Sequence, residues 1–260
     1  MVFFGVFPDM FEVMREQEVQ RPASKQSLPE NVFVVSIGGS VIIDAKPNTA
    51  MIAKISQSIN MLFNEGYRFV LVVGGGRVCR SYVSAAKTLG ANNFFQDRIG
   101  IGVTRLNASL VIHSLENSFP IVLKNIAKAK QVIDSGKIPV YGGLHAGFTT
   151  DAVAALLAES INGVFVNLSN VDGVYSSDPK ENPHAKFYPE LSYDRLVSIA
   201  QLHGSKPGQN VVIDLPASLI LKRSKIKAFF LNGNDLENFE TAIRGNTFKG
   251  TIVQEAGTVQ

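Results

Sequence analysis

The sequence predicts an α/β fold: a three-layer α/β/α sandwich with helices on both faces of a mainly parallel central sheet. Three observations carry that prediction. From residue 31 onward, short apolar runs alternate with longer segments of helical spacing. The short runs are continuously apolar rather than alternating, which marks strands covered on both faces. Three of them end directly in clustered glycines, at Gly38-Gly39, Gly74-Gly75-Gly76 and Gly142-Gly143. Open α/β sheets bind ligands at such carboxyl ends.

Taken in order, Val32–Ile37 reads as a buried strand running into the first glycine loop. Met51, Ile52, Ile55, Ile59, Leu62 and Phe63 give Ala50–Phe63 a helical stripe that stops at Gly66. Phe69–Val73 is the second strand, followed by a helix over Val78–Leu89 that Gly90 ends. Leu106–Leu115 is a helix candidate, Phe119–Leu123 a short strand and Ile126–Ile133 a helix stopped by Gly136. Ile138–Tyr141 is a strand, and Thr150–Ser160, rich in alanine, a helix. Val164–Leu168 is a strand, and Asn170–Pro179 is turn-rich. Ser176–Pro189, with three prolines, reads as a surface loop. Ile213–Ser224 is a helix with Pro216 in its first turn. Ala228–Leu231, Asp235–Arg244 and Gly250–Val253 complete the pattern as strand, helix and strand.

Residues 1–30 stand apart. Ten of the first 14 residues are apolar, followed by a polar stretch with Pro22 and Pro29. No basic residue precedes Arg15, and Pro8, Asp9 and Glu12 break the apolar run, so a signal peptide is not expected. The segment reads as a flexible N-terminal extension, a frayed tail or an over-long translation start, or else as a short amphipathic helix that docks on a neighbouring subunit. Residues 31–260 then form one domain.

Composition narrows the function. Hydrophobic residues make up 45 % of the 260, which excludes a disordered chain. No window approaches the ~18 continuous apolar residues of a membrane span. Cys79 is the only cysteine, so an internal disulfide and a multi-cysteine zinc site are excluded and a reducing, cytoplasmic setting is the default. A net charge of +3 is too weak to argue for nucleic acid.

The glycine clusters carry the chemistry. Glycine after a strand lets the backbone reach positive φ and turns N–H groups toward an anion, and the following helix adds its N-terminal dipole. Arg77 and Arg80 follow the second cluster three residues apart, with forks suited to phosphate. No G-x-x-x-x-G-K-[ST] and no G-x-G-x-x-G occurs, which removes Walker-type NTPases and weakens a dinucleotide dehydrogenase. Two phosphorylated ligands placed end to end would occupy all three loops. That implies phosphoryl transfer, in which positioning and charge stabilisation with Mg²⁺ do the catalysis.

Five stretches then occur in one order: Ser36-Ile37-Gly38-Gly39-Ser40; Val73 to Gly76; Asp97-Arg98-Ile99-Gly100-Ile101 with Thr104-Arg105-Leu106-Asn107-Ala108; Gly142 through Thr149-Thr150-Asp151 to Ala155; and Asn170-Val171-Asp172-Gly173-Val174-Tyr175 to Asp178-Pro179. Over residues 32–253 the chain resembles the amino-acid-kinase superfamily, of carbamate-kinase-like fold, and most of all its archaeal-type uridylate (UMP) kinases. The resemblance implies transfer of the γ-phosphate of ATP to UMP, giving UDP and ADP in pyrimidine nucleotide biosynthesis. It implies ATP and Mg²⁺ as co-substrate and ion, and a homohexamer. It places acceptor UMP in a lobe of about residues 31–160 and ATP in one of about 161–260.

Residue by residue, the resemblance implies a catalytic set of Arg80, Asp151 and Gly39. Gly38, Gly39, Ser40, Gly76, Arg80, Ser169, Tyr175 and Asp178 would contact ATP. Gly75 would hold the UMP phosphate and Asp97 the ribose. Leu144, His145, Ala146, Gly147, Phe148, Thr149 and Thr150 would wrap UMP. Asp151 would orient the catalytic loops or help hold Mg²⁺ through water. An acceptor phosphate is already anionic, so no general base is required.

The chain departs from the pattern in places. Ser36 stands where many superfamily members have lysine, leaving Arg80 and then Arg77 as substitutes. Leu144, Ala146 and Phe148 replace Thr, Pro and His of the usual G-G-T-H-P-G-H, and Leu215-Pro216 reverses the usual order. Structural readings stand beside the functional ones: His145 as a loop cap, Cys79 as a small core residue, and Asp172 and Asp178 as turn residues. His113, His184 and His203 read as structural or solvated, and Lys124, Lys128 and Lys130 as a solvated face. The alternatives are another small-molecule phosphate kinase of this fold or a non-catalytic ATP- and oxyanion-binding protein of the molybdenum-storage kind. Isopentenyl phosphate kinases carry H-G-G-G-S-F-G-H at the second loop, which Val73–Arg80 does not match.

Overall fold

A computed structural model describes residues 31–203 and 212–255, so the extension 1–30 and the segment 204–211 lie outside the described residues. The elements run β1 (Val32–Ile37), α1 (Gly39–Ile42), α2 (Thr49–Asn64), β2 (Arg68–Val73), α3 (Gly76–Thr88), α4 (Asn93–Ser114), α5 (Lys128–Asp134) and β3 (Val140–Tyr141). They continue with α6 (Thr150–Ile161), β4 (Val164–Ser169), β5 (Val174–Tyr175), β6 (Phe187–Tyr188), β7 (Glu190–Leu191), α7 (Tyr193–His203), α8 (Leu215–Arg223), β8 (Ala228–Asn232), α9 (Leu236–Ile243) and β9 (Thr251–Val253).

Seven strands form one sheet in the order β3-β2-β1-β4-β8-β9-β7. Every neighbouring pair is parallel except β8–β9. β5 and β6 form a separate antiparallel ribbon. The chain winds outward from β1 through β2 to β3, then returns to β4 on the other side of β1. That reversal is a topological switch point, and its crevice opens beyond the carboxyl ends of β1 and β4.

Strand side chains alternate between faces. Val32 and Val34 of β1, with Phe165 of β4, pack against α5, α6, α7 and α8. Phe33, Val35 and Ile37, with Val166 and Leu168, pack against α2, α4 and α9. The same parity sends Ser36 and its cross-strand partner Asn167 toward α6. Four fully buried alanines, at 152, 154, 155 and 158, let that helix lie close to the sheet.

The expected layers and mainly parallel sheet are present, and most element bounds agree within two residues. The differences have physical causes. The helix expected at Leu106–Leu115 begins thirteen residues earlier, at Asn93, with the Asn92 side chain capping it through the Phe95 amide at 3.1 Å. Gly100 and Gly102 argue against a helix by propensity, but Gly100 sits where α3 crosses: a Cβ there would lie 3.5 Å from Cys79 Sγ. The strand expected at Phe119–Leu123 is reduced to isolated bridges at Ser118 and Leu123, because Pro120 has no N–H to continue a ladder. Within Ser176–Pro189, β6 is a short strand rather than loop. No element is read above from residues 190–203, where β7 and α7 lie.

Candidate active site

Two of the three glycine loops touch. A Cβ on Gly39 would sit 1.9 Å from the Gly76 nitrogen, so the backbones after β1 and β2 abut where only glycine fits. Gly76 takes φ +66° and opens α3, with backbone at Gly39 and Ile43 crowding the place of a side chain. Gly38 donates to the Leu168 carbonyl at 2.8 Å, tying the first loop to β4 across the switch point. Gly39 and Gly76 line one crevice, which the 13-residue α3 meets at its N-terminus.

Helix α4 braces both the second and third loops. Buried Asn107 donates through Nδ2 to the Gly74 carbonyl at 2.9 Å and the Gly75 carbonyl at 3.2 Å. Thr104 Oγ1 accepts the Gly143 amide at 2.8 Å, and Arg105 Nε donates to the Gly143 carbonyl at 3.1 Å. These residues stand in the T-R-L-N motif of the sequence, where they carry no expected role. Their spacing, three residues from Thr104 to Asn107 on a helix, was the available signal.

Under the crevice lies a buried polar group. Asp151, in the first turn of α6, accepts from Ser36 Oγ at 2.7 Å and Asn167 Nδ2 at 3.0 Å. Burial, and then the nearby charge of Asp214, outweigh those bonds and push its carboxyl up to about 7. This is the spot where many superfamily members have lysine at the position of Ser36. Here Asp151 has hydroxyl and amide partners instead of a cation.

The expected acceptor segment forms an adjoining loop. Asp97 Oδ2 accepts the Gly147 amide at 2.7 Å, which joins these two candidates. Thr149 caps α6 by accepting from the Ala152 amide at 3.1 Å, and its hydroxyl donates to Asp214. Asp214 in turn caps α8 through the Ala217 amide at 2.7 Å. It links two helix N-termini and is not among the residues singled out from the sequence. The Leu144 side chain belongs to the core, so only its backbone is available to a ligand. His145, Gly147 and Phe148 are exposed and Ala146 is half-buried. The His145 carbonyl, rather than its ring, closes this loop by accepting from the Phe148 amide at 3.2 Å.

A cavity of about 560 Å³ gathers most of the other candidates. Gly38, Gly39, Ser40, Gly75, Gly76, Arg80, Thr150, Asp151, Ser169, Tyr175 and Asp178 all line it. Its size suits a small-molecule ligand. Asp97 and residues 144–149 do not line it. Arg80 is exposed on the wall and forms no ion pair among the described residues, whereas Arg77 is paired with Asp44 at 2.9 Å. Ser169 shapes the turn after β4 through Val171. Asp178 accepts the Lys180 amide at 2.9 Å, so it is both a turn residue and a wall residue. Asp172 is held below the usual carboxylate range by Lys249 and Asn232 and is a structural link. Burial raises the Cys79 thiol.

Residues 31–232 match the model of the amino acid kinase family. The chain is 43 % identical over 224 residues to a uridylate kinase of Thermococcus sibiricus, covering 85 % of this chain and 99 % of that protein. It is 42 % identical to the uridylate kinase of Archaeoglobus fulgidus, with 85 % and 98 % covered. The crystal structure of an Archaeoglobus fulgidus uridylate kinase superposes with a TM-score of 0.76 at 40 % identity, covering 85 % of this chain and 99 % of that one. The UMP kinase of Bacillus anthracis shares the fold, with a TM-score of 0.75 at 22 % identity. With abutting glycine loops at the switch point, a bracing T-R-x-N helix and these relatives, the chain belongs to the amino acid kinase family.

Proposed function

We infer that this protein is an ATP-dependent UMP kinase, converting ATP and UMP to ADP and UDP. The contact of Gly39 with Gly76 carries the reading, because it supports two phosphate cradles meeting at one crevice. In that reading the first loop holds the ATP phosphates, and Gly75 with the loop 144–150 holds UMP. Asp97, tied to Gly147, is placed beside that loop for the acceptor sugar. The two lobes, about 31–160 and 161–260, take acceptor and donor respectively. Arg80, which forms no ion pair among the described residues, neutralises charge on the transferring group.

The donor set of the wall fits a Mg²⁺ carried on phosphates rather than caged by protein. No cluster of three or more His, Cys, Asp or Glu occurs among the described residues, and Mg²⁺ on nucleotides needs only one or two carboxylates. Asp44 is engaged by Arg77, and Asp151 by Ser36 and Asn167, so Asp178 would hold the ion. Such an ion spreads the charge that develops between the phosphates.

No described helix is long and apolar enough to cross a membrane. A cytoplasmic enzyme of pyrimidine nucleotide synthesis agrees with that and with the single cysteine. Exposed Phe94, Phe95, Leu106 and Leu110 along α4, with Ile121, support a homo-oligomer, a hexamer in this reading. The test is ADP release with UMP, CMP, dUMP and small phosphates as acceptors. Turnover with UMP above the others is expected, and turnover only with another acceptor would overturn the substrate assignment.

A further inference from the structure

A second groove, of about 790 Å³, lies between α4 and the chain at residues 120–128, away from the proposed reaction. Leu106 and Ile121 line it and are 67 % and 62 % exposed, large apolar groups on one open patch. Among the described residues no Asp or Glu lines it, whereas Arg105, Lys124 and Lys128 do. None of those three is ion-paired among the described residues. The groove is thus apolar and positive. The chain itself carries a segment of matching chemistry. Residues 1–20 hold Asp9, Glu12, Glu16 and Glu18 against Arg15 alone, with four phenylalanines and three methionines. Phe7, Phe11 and Met14 recur at steps of four and three, the spacing of one helical face, and Asp9, Glu12 and Glu16 recur on the other. The match to the family model starts at residue 31, so this segment is additional to the domain.

We propose that residues 1–20 dock in the groove of their own chain, their Phe and Met side chains against Leu106 and Ile121 and their acids beside Lys124 and Lys128. The chain is long enough for this. Ser118 and Leu123 bridge in parallel to Ile138 and Tyr141, so the segment 118–123 lies beyond β3, three strand positions from β1. At about 4.8 Å per strand the lateral distance is about 14 Å. The described chain starts at Asn31, directly before β1, and residues 21–30 at about 3.3 Å each span about 33 Å. Ten residues therefore bridge the gap and leave residues 1–20 to occupy the groove, an amphipathic segment laid in an apolar channel. The opposite charges favour this site over the rest of the surface and fix the direction of docking. Phe94, Phe95 and Leu110 do not line the groove and stay available for contact between copies. The proposal holds whichever phosphate the enzyme accepts.

The test is cross-linking of the full-length protein with a carbodiimide, which joins carboxylates to amines in direct contact. Links are mapped by mass spectrometry in the one-chain band of a denaturing gel. Links from Asp9, Glu12, Glu16 or Glu18 to Lys124 or Lys128 are expected. Ile121→Asn keeps every carboxylate and amine but removes an apolar anchor, so the yield of those links should fall about tenfold. Ile121 is outside the core, and circular dichroism checks that the variant is folded. If it is not, the wild-type links decide alone. Four results would overturn the proposal. One is that the acids of residues 1–20 link only to other lysines, or to none. Another is that Lys124 and Lys128 link only to carboxylates of residues 31–260, which would mean that a second copy covers the groove. A third is that the expected links occur only in the two-chain band, which would place the segment on a neighbouring copy. The last is an unchanged yield in folded Ile121→Asn.

Discussion

Replacing Asn107 by Ala tests whether α4 braces the second glycine loop. Asn107 is 4 % exposed and donates to two carbonyls in succession, Gly74 and Gly75. Its removal leaves the buried Gly74 carbonyl without that donor, whereas the Gly75 carbonyl keeps the Cys79 amide at 3.3 Å. A buried group left unsatisfied costs about 1–3 kcal/mol, which is the expected loss at Gly74. For a domain of this size that is a loss of roughly 2–12 °C in Tm. The functional effect should be larger than stability alone explains, because Gly74–Gly76 is pressed against Gly39 and a shift moves both cradles. Misplacement of about 1 Å can cost about 10²-fold in rate, so kcat/KM with UMP and ATP should fall by that order at a temperature where the variant is folded. Asn107→Asp keeps the size but loses the donor and adds charge, and should be at least as damaging. An Asn107→Ala protein that melts within about 2 °C of wild type and keeps its kcat/KM would refute the bracing role.

Three further expectations follow from the same geometry. Arg80→Ala should lower kcat by about 10²–10³-fold, and an unchanged kcat in steady-state assays would remove Arg80 from the transition state. Asp151 binds its proton more tightly folded, at about 7, than unfolded, at 3.8, so stability should fall as pH rises between those values and level off above. The span corresponds to as much as about 4 kcal/mol, and urea midpoints across pH should show the slope in wild type and lose it in Asp151→Asn. Asp214→Ala removes the cap of α8 and the hold on Thr149, costing about 1 kcal/mol of stability and raising KM for UMP more than KM for ATP. Equal effects on both KM values would assign Asp214 a purely structural role.

Much of this was readable from the chain because it follows from local rules. The strand runs, the glycines that end them and the alanine-rich α6 each depend on near neighbours in sequence. Even the pairing of Ser36 with Asn167 is partly legible, since a period of two along β1 and β4 sends both toward α6. What escaped depends on contacts between distant segments. Gly100 weakens a helix by propensity, and only the crossing of α3 at Cys79 explains its place in α4. Asn107 and Gly74 are 33 residues apart, and Thr149 and Asp214 are 65 apart. A residue type states what bonds a side chain can make, while the topology decides with whom.

The absence of lysine at Ser36 bears on how the site manages charge. Two nucleotides bring several negative charges to one crevice, and a cation at Ser36 would have paired with Asp151 and lowered its pKa. With serine there, no cation bonds to the buried acid among the described residues, and burial together with the charge of Asp214 makes its ionisation unfavourable. In the proposed reading the stabilisation then comes from groups that cost less to bury: the backbone of the abutting Gly39 and Gly76 loops and the dipole of α3. Those donors work only if they are held in place, because each contributes less than a full charge. That requirement explains why the glycine loops abut with no room for a methyl group and why α4 fixes their carbonyls from behind. Rigidity of the backbone takes over part of the task that a mobile cation performs elsewhere, and Arg80 remains as the one guanidinium on the wall not tied to a described carboxylate.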